Sequence, residues 1–221
     1  MNLKKISVTT LILASASLAL AAYDKAWYIT EYWSGEYPNG FSVIQENTTV
    51  PARSEMDLDK PANIQCAVPF KAVFHPWNEA RKANYMTASR IVNMTAKIDF
   101  ELEGNNEEKV KVHKGDTVEY LIYGAEGGFT VRYQGVEYYG DQELFEKIEE
   151  SQDSLDFHQD EWVHLTCGNG ENAWIFMPDL SQTDEQGEVK TLPGIGSWGL
   201  GMRDYGQVTD LTDDDLKKSQ E

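Results

Sequence analysis

Any chemistry in this chain would have to come from four histidines, two cysteines and a surplus of carboxylates, with 37 Asp and Glu against 19 Lys and Arg. A Cys–His hydrolase needs a thiolate beside an imidazole, and the Cys commonly opens a helix whose positive end lowers its pKa. Neither Cys66 nor Cys167 opens a helical pattern. His164 stands three residues before Cys167 in a strand-like stretch, a spacing that sends the two side chains to opposite faces. No serine sits in a Gly-x-Ser-x-Gly elbow. His158, Asp160 and His164 are of suitable type for zinc, yet no His-Glu-x-x-His or Cys-x-x-Cys spacing accompanies them, and surface histidines are the simpler reading. The run Asp213-Asp214-Asp215 lacks the alternating ligands and glycine of a calcium loop. Gly194–Gly201 is glycine-rich but neither follows an expected strand nor ends in Lys-Ser or Lys-Thr, so it reads as a flexible cover rather than a phosphate loop. With 37 acidic residues, chance carboxylate pairs are inevitable, which keeps a carboxylate-dependent cell-wall hydrolase open as an alternative. The sequence names no catalytic residue, no metal ligand and no cofactor.

The aromatic residues carry more. Residues 23–44 are dense in Trp and Tyr, and Glu161–Leu180 adds two more tryptophans. Trp27, Tyr32, Trp33, Trp162 and Trp174 are the expected ligand contacts, as rings that stack on a sugar or peptide. The competing role for each is a place in the core, which is the commoner fate of such runs.

The address is read from the first 21 residues. Lys4 and Lys5 precede an apolar stretch from Ile6 to Leu20, and Ala19-Leu20-Ala21 places small residues where a signal peptidase reads them. The apolar run is shorter than the ~20 residues a membrane span needs. Residues 1–21 are therefore expected to be a signal peptide, leaving a mature chain that is soluble, periplasmic or secreted, and free of the membrane. Without Lys4 and Lys5, 17 basic face 37 acidic residues, a net charge of −20. Such a chain repels nucleic acid and anionic membranes and attracts cationic proteins. Two cysteines in an oxidising compartment imply a Cys66–Cys167 disulfide, with two buried free thiols as the alternative.

The elements that would hold these residues are mostly strands. Glu161–Leu180 reads as a hairpin turning at Gly168-Asn169-Gly170. Met94, Ala96, Ile98, Phe100 and Leu102 alternate with polar residues as one half-buried strand, which Gly104-Asn105-Asn106 turns back into Lys109–Val112. Further strands are expected in Thr117–Tyr123, Phe129–Tyr133 and Val136–Tyr138. Asp141–Glu150 is the best helix, capped by Asp141 with Leu144, Phe145 and Ile148 as its stripe. Asn78–Thr87 suits a short helix or an ordered loop. Residues 204–221 read as an acidic flexible tail in which Thr212 can start a short helix.

Several of these segments resemble bacterial SH3-like domains. The closing pair Trp162-Val163 and Gly170…Trp174-Ile175 is similar to that family's sealing hairpin. Lys114-Gly-Asp-Thr-Val, Val131-Arg-Tyr and Gly135…Tyr138 follow its order, with Phe129 and Tyr138 where Trp is usual, and Arg53-Ser54 matches its opening segment. The resemblance spans about half of the mature chain. It implies a mainly-β fold of one or two SH3-like barrel units over residues 22–203. It further implies non-catalytic binding of a cell-wall peptide or glycan, or of a protein partner. The acidic surface motivates a second expectation, an inhibitor or immunity protein against a cationic wall hydrolase. Oligomeric state is not legible from the sequence.

Overall fold

The computed structural model describes residues 23–104, 109–184 and 186–218. The expected signal peptide and the Asn105-Asn106 turn lie outside them. Among the described residues, no helix is long and apolar enough to cross a membrane.

The expected mainly-β class is what forms. The first half of the chain supplies β1 (Trp27–Thr30), β2 (Phe41–Val43), β3 (Thr49–Ala52), β4 (Ile64–Ala67), β5 (Val73–Phe74), β6 (Asn84–Arg90), β7 (Val92–Thr95), β8 (Phe100–Glu103) and β9 (Lys109–Val112). It continues through β10 (Thr117–Tyr123), β11 (Phe129–Tyr133), β12 (Val136–Gly140), β13 (Gln159–Thr166), β14 (Asn172–Phe176) and β15 (Ser181–Thr183). The last stretch adds β16 (Val189–Thr191), β17 (Ile195–Ser197), β18 (Met202–Asp204), β19 (Gln207–Val208) and a short helix α1 (Asp213–Lys218). Two larger antiparallel sheets organise the rest: β1-β6-β13-β14, and β7-β10-β11-β12-β8-β9. A single residue, Ile91, separates β6 from β7, so one stretch of chain leaves the four-stranded sheet and enters the six-stranded one. Small sheets β17-β2-β5 and β3-β4 flank them. The sheets of the described residues stay open and form no closed barrel, unlike the barrel that the SH3-like resemblance implies.

The 161–180 hairpin forms where expected, in the register Trp162 opposite Phe176 and His164 opposite Trp174. It is buried on both faces. Val163, Leu165, Ala173 and Ile175 enter a core with Trp33, Phe41, Val43 and the cysteines, while Trp162 and Trp174 meet Met56, Met86 and Ala88 on the other side. Central β6 was invisible as a strand because Met86, Thr87, Ala88 and Ser89 are all buried, which erases the period-2 signal. A separate core fills the six-stranded sheet around Met94, Leu102, Val118, Val131, Leu144 and Ile148.

Three expectations are corrected. The strand expected over 94–102 breaks between Thr95 and Phe100: Asp99 Oδ1 accepts the backbone N–H of Lys114 (2.9 Å), Lys97 N–H bonds Lys147 O (2.9 Å), and Ile98 turns outward. Asp141 does cap a helical turn, accepting from Glu143 N (3.0 Å), but the turn is a 3₁₀ segment confined to Gln142–Glu146. It ends because the backbone next pairs with the Thr95–Lys97 stretch, through Lys147 O and Glu149 N. The segment 204–218 is packed rather than free. Val208 and Leu211 are buried, and the carboxylates of Asp210, Asp213 and Asp215 pair with Arg81, Lys71 and Arg203.

Cys66 and Cys167 form a disulfide across a separation of 101 residues. It ties the end of β4 to the residue after β13, beside a backbone bond from Gly168 N to Ala67 O (2.8 Å).

Candidate functional site

Of the five expected ligand contacts, three are structural. Trp33, Trp162 and Trp174 are at most 4% exposed. The Trp33 indole N–H is shared between the carbonyls of Met86 (2.9 Å) and Trp162 (3.0 Å), and the Trp162 indole donates to the Tyr23 hydroxyl (2.8 Å). Trp174 stacks beneath His164 with ring centroids 4.5 Å apart. All three rings are sealed from solvent and fill the core, with the indole donors of Trp33 and Trp162 satisfied inside it. Trp27 is half-buried against Tyr23 and His158, and Tyr32 is exposed with its backbone carbonyl accepting from Thr87.

The zinc and thiolate candidates are used up in the same way. His158 Nε2 and Asp160 Oδ1 pair at 2.9 Å, Asp160 also accepts from Tyr23, His164 lies on Trp174, and both cysteines are oxidised. Among the described residues, no group of three or more His, Cys, Asp or Glu is arranged to hold a metal.

The structure instead gathers a different set of aromatics at the surface. Tyr37, Trp77, Trp198 and Tyr205 meet there, edge to face for Tyr37–Trp77 (centroids 6.1 Å apart), Tyr37–Tyr205 (5.8 Å) and Trp77–Trp198 (6.1 Å), and tilted for Trp77–Tyr205 (5.2 Å). Tyr37 is 57% and Tyr205 64% exposed, while the two indoles are half-buried. Four distant segments converge here. Tyr37 comes from the loop before β2, Trp77 follows the His75-Pro76 kink, Trp198 opens a 3₁₀ turn after β17, and Tyr205 tips the β18–β19 hairpin. Ser197 fixes the Trp198 turn by accepting from Gly199 N (3.1 Å). The glycine-rich stretch expected to be a flexible cover is thus ordered, since Ile195–Ser197 pairs with Phe41–Val43.

His75 is the floor of this cluster. Its ring is fully buried, stacked 4.0 Å from Trp198 and edge-on to Trp77 at 4.9 Å. One ring nitrogen, Nε2, lies 2.8 Å from Pro38 O, and the other, Nδ1, accepts the backbone N–H of Trp77 (3.1 Å). That pair of bonds requires the neutral tautomer with the proton on Nε2. Burial pushes the imidazole pKa down from its ordinary 6.5, against the opposing pull of the Pro38 carbonyl. Gly40 lets the chain pass close above it: a Cβ there would sit 2.9 Å from the imidazole and 2.7 Å from Phe74 O.

A shallow cleft of about 560 Å³ runs beside Trp77, lined by Asn78, Glu79, Gln207, Thr209 and Asp210. Asn78 is held by Val73 O (2.7 Å) and Asp210, and Asp210 in turn pairs with Arg81. Flat apolar rings beside fixed amides and carboxylates can stack on one face of a ligand and hydrogen-bond its edge. The sequence singles out the glycine run around Trp198 but gives no sign of its ring partners. No spacing rule links residues 37, 77, 198 and 205, so only the fold brings them together. A scan against protein-family models finds no match for this chain, and searches of curated proteins and of solved structures find none either.

Proposed function

We infer that this protein is an exported, non-catalytic binding protein whose contact surface is the Tyr37–Trp77–Trp198–Tyr205 cluster and its cleft, with a cell-wall glycan or peptide as ligand. The observation that carries this reading is a cluster of four rings at the surface, with Tyr37 and Tyr205 more than half in water and both indoles half-buried. Leaving such rings exposed gives up roughly 1.5–3 kcal/mol of burial for each large apolar side chain, a cost that a stacking ligand offsets. The disulfide fits an oxidising compartment outside the cytoplasm. The SH3-like likeness of the 161–180 hairpin points the same way, by analogy of fold rather than of chemistry.

The test is retention of the mature protein on purified wall sacculi at low and high salt, with Trp77→Ala and Tyr205→Ala beside the parent. Stacking predicts retention at both salts and at least a tenfold loss in each variant. Absence of retention at either salt would sink the reading. The net charge of −20 favours a second one, a cationic wall hydrolase as partner. Its mark is capture of a basic protein that collapses as ionic strength rises and is indifferent to both variants.

A further inference from the structure

A second cavity, of about 360 Å³, lies where the six-stranded sheet meets the start of β13, and it shares no lining residue with the platform or its cleft. Its wall is a closed circuit of rings: Phe129 to Phe145 at 5.0 Å, Phe145 to Phe157 at 6.0 Å, Phe157 to Tyr120 at 4.6 Å and Tyr120 to Phe129 at 5.2 Å. The polar lining is of one kind, the primary amides of Gln142, Gln152 and Gln159, joined by the Tyr120 and Tyr123 side chains. Each amide can both donate and accept. Among the described residues, no Asp, Glu, Lys, Arg or His lines the cavity. Burial pushes the Tyr120 hydroxyl pKa further up, so that group is neutral too.

The walls are preset. The Tyr123 hydroxyl accepts the Gly127 N–H (3.2 Å), which closes the β10–β11 loop, and Ser34 Oγ donates to Gln159 Oε1 (2.9 Å), leaving that amide its NH₂ group. Gly127 has φ +78°, and a Cβ there would lie 3.1 Å from Gln142 Nε2, so the bare backbone is what lets the Gln142 amide lie against the loop.

These features define the ligand by exclusion and by fit. An anion would lose water without gaining a counter-charge, and a cation would find no carboxylate in the lining itself. The acidic surface disfavours an anion further, with Glu126, Asp141, Asp153 and Asp156 exposed and each next in sequence to a lining residue. A purely apolar ligand would leave the three amides unused. The volume is at the small end of the ~300–1,000 Å³ usual for small-molecule sites. We propose that this cavity binds an uncharged, hydroxylated ring, with a single sugar ring as the fitting chemical class, stacked on the Phe145–Phe157–Tyr120 wall and hydrogen-bonded by the glutamine amides. It works independently of the surface platform.

The experiment is calorimetric titration of the full mature chain with glucose, N-acetylglucosamine, glucuronate and choline, repeated on Phe157→Ala, Gln142→Ala/Gln152→Ala and Trp77→Ala. A ligand of this size should bind with a Kd on the order of 1 mM. The expected result is saturable binding of at least one neutral sugar, with glucuronate and choline at least tenfold weaker. Phe157→Ala and the double glutamine variant should each weaken the sugar at least fivefold, and by the same factor when combined with Trp77→Ala. Phe157 is 37% exposed and both glutamines are exposed, so these variants should keep the parent melting temperature within a few degrees. The proposal is overturned if neither sugar saturates below about 50 mM, if choline or glucuronate binds as tightly, or if the cavity variants have no effect. Loss in Trp77→Ala alone would assign the sugar to the platform and remove it from this cavity.

Discussion

His75 sets the geometry of the platform through a protonation state. Its neutral ring accepts the Trp77 N–H and carries Trp198 on its face, and an added proton on Nδ1 would turn that acceptor into a donor facing a donor. Because its folded pKa lies below the ordinary 6.5, the unfolded chain takes up the proton first. The stability tied to this ring is therefore whole above pH 6.5 and is lost as pH falls towards the folded value. Tryptophan emission and wall retention, followed together from pH 7.5 to 4.5, should change in parallel in the parent and stay level in a folded His75→Phe variant. Parent emission flat throughout that range would remove His75 from the account. Buried Trp33 makes the contrast: Trp33→Ala should cost about 3–5 kcal/mol in denaturant unfolding because it empties the core, with no specific mark on the ligand. The sequence marked Trp33, Trp162 and Trp174 by ring type alone, and ring type says nothing of exposure. Trp198 was hidden by its glycine neighbours, and Tyr205 by an acidic segment that looked solvated.

At the scale of elements, what could be read depended on how many faces of a strand are covered. β11, with Phe129, Val131 and Tyr133 buried and Thr130 and Arg132 less so, shows its period plainly. The 161–180 hairpin was legible from its glycine turn as well as its alternation, whereas β6, buried on both sides, showed no period. Residues 142–150 had the composition of a helix, but pairing of Lys147 and Glu149 with the Thr95–Lys97 stretch outweighed a weak local propensity. Helix α1 was foreseen from Thr212, and its start is a reciprocal cap: Asp215 Oδ2 accepts Thr212 N (2.8 Å) while Thr212 Oγ1 accepts Asp215 N (3.3 Å). Arg203 adds a bond to the same carboxylate at 2.6 Å. Asp215→Asn should cost about 1–2 kcal/mol and shift the thermal midpoint down by roughly 2–8 °C. An unchanged midpoint would mean that the segment contributes nothing to stability. Reduction of Cys66–Cys167, which closes a loop of 101 separations, should remove about 4–5 kcal/mol by loop entropy and lower the midpoint by roughly 10 °C or more, readable by calorimetry with and without reductant.

For the whole molecule, the surplus of acids decides solubility and encounter more than fold. Some of that charge is spoken for internally, as in Arg53 with Asp179, Arg81 with Asp210 and Arg203 with Asp215, but most carboxylates face water. Association with any basic protein should slow by tenfold or more between about 20 mM and 500 mM salt, whereas release from a glycan should hardly respond. Stopped-flow measurements against a basic lysozyme-like enzyme would separate the two. The lone disulfide has a further consequence, for how the chain is made. Cys66 is synthesised 101 residues ahead of Cys167, so a chain crossing a membrane amino end first presents a solitary thiol until most of the strands have followed. With two cysteines there is a single intramolecular pairing, so no scrambled isomer can trap the chain and an oxidant alone completes it. The hazard lies between chains instead: two half-emerged copies can couple through Cys66 and be held as a misjoined dimer. For a chain exported in this way, crowding rather than shuffling would limit yield, and a Cys66→Ser/Cys167→Ser chain should escape it while paying in thermal resistance.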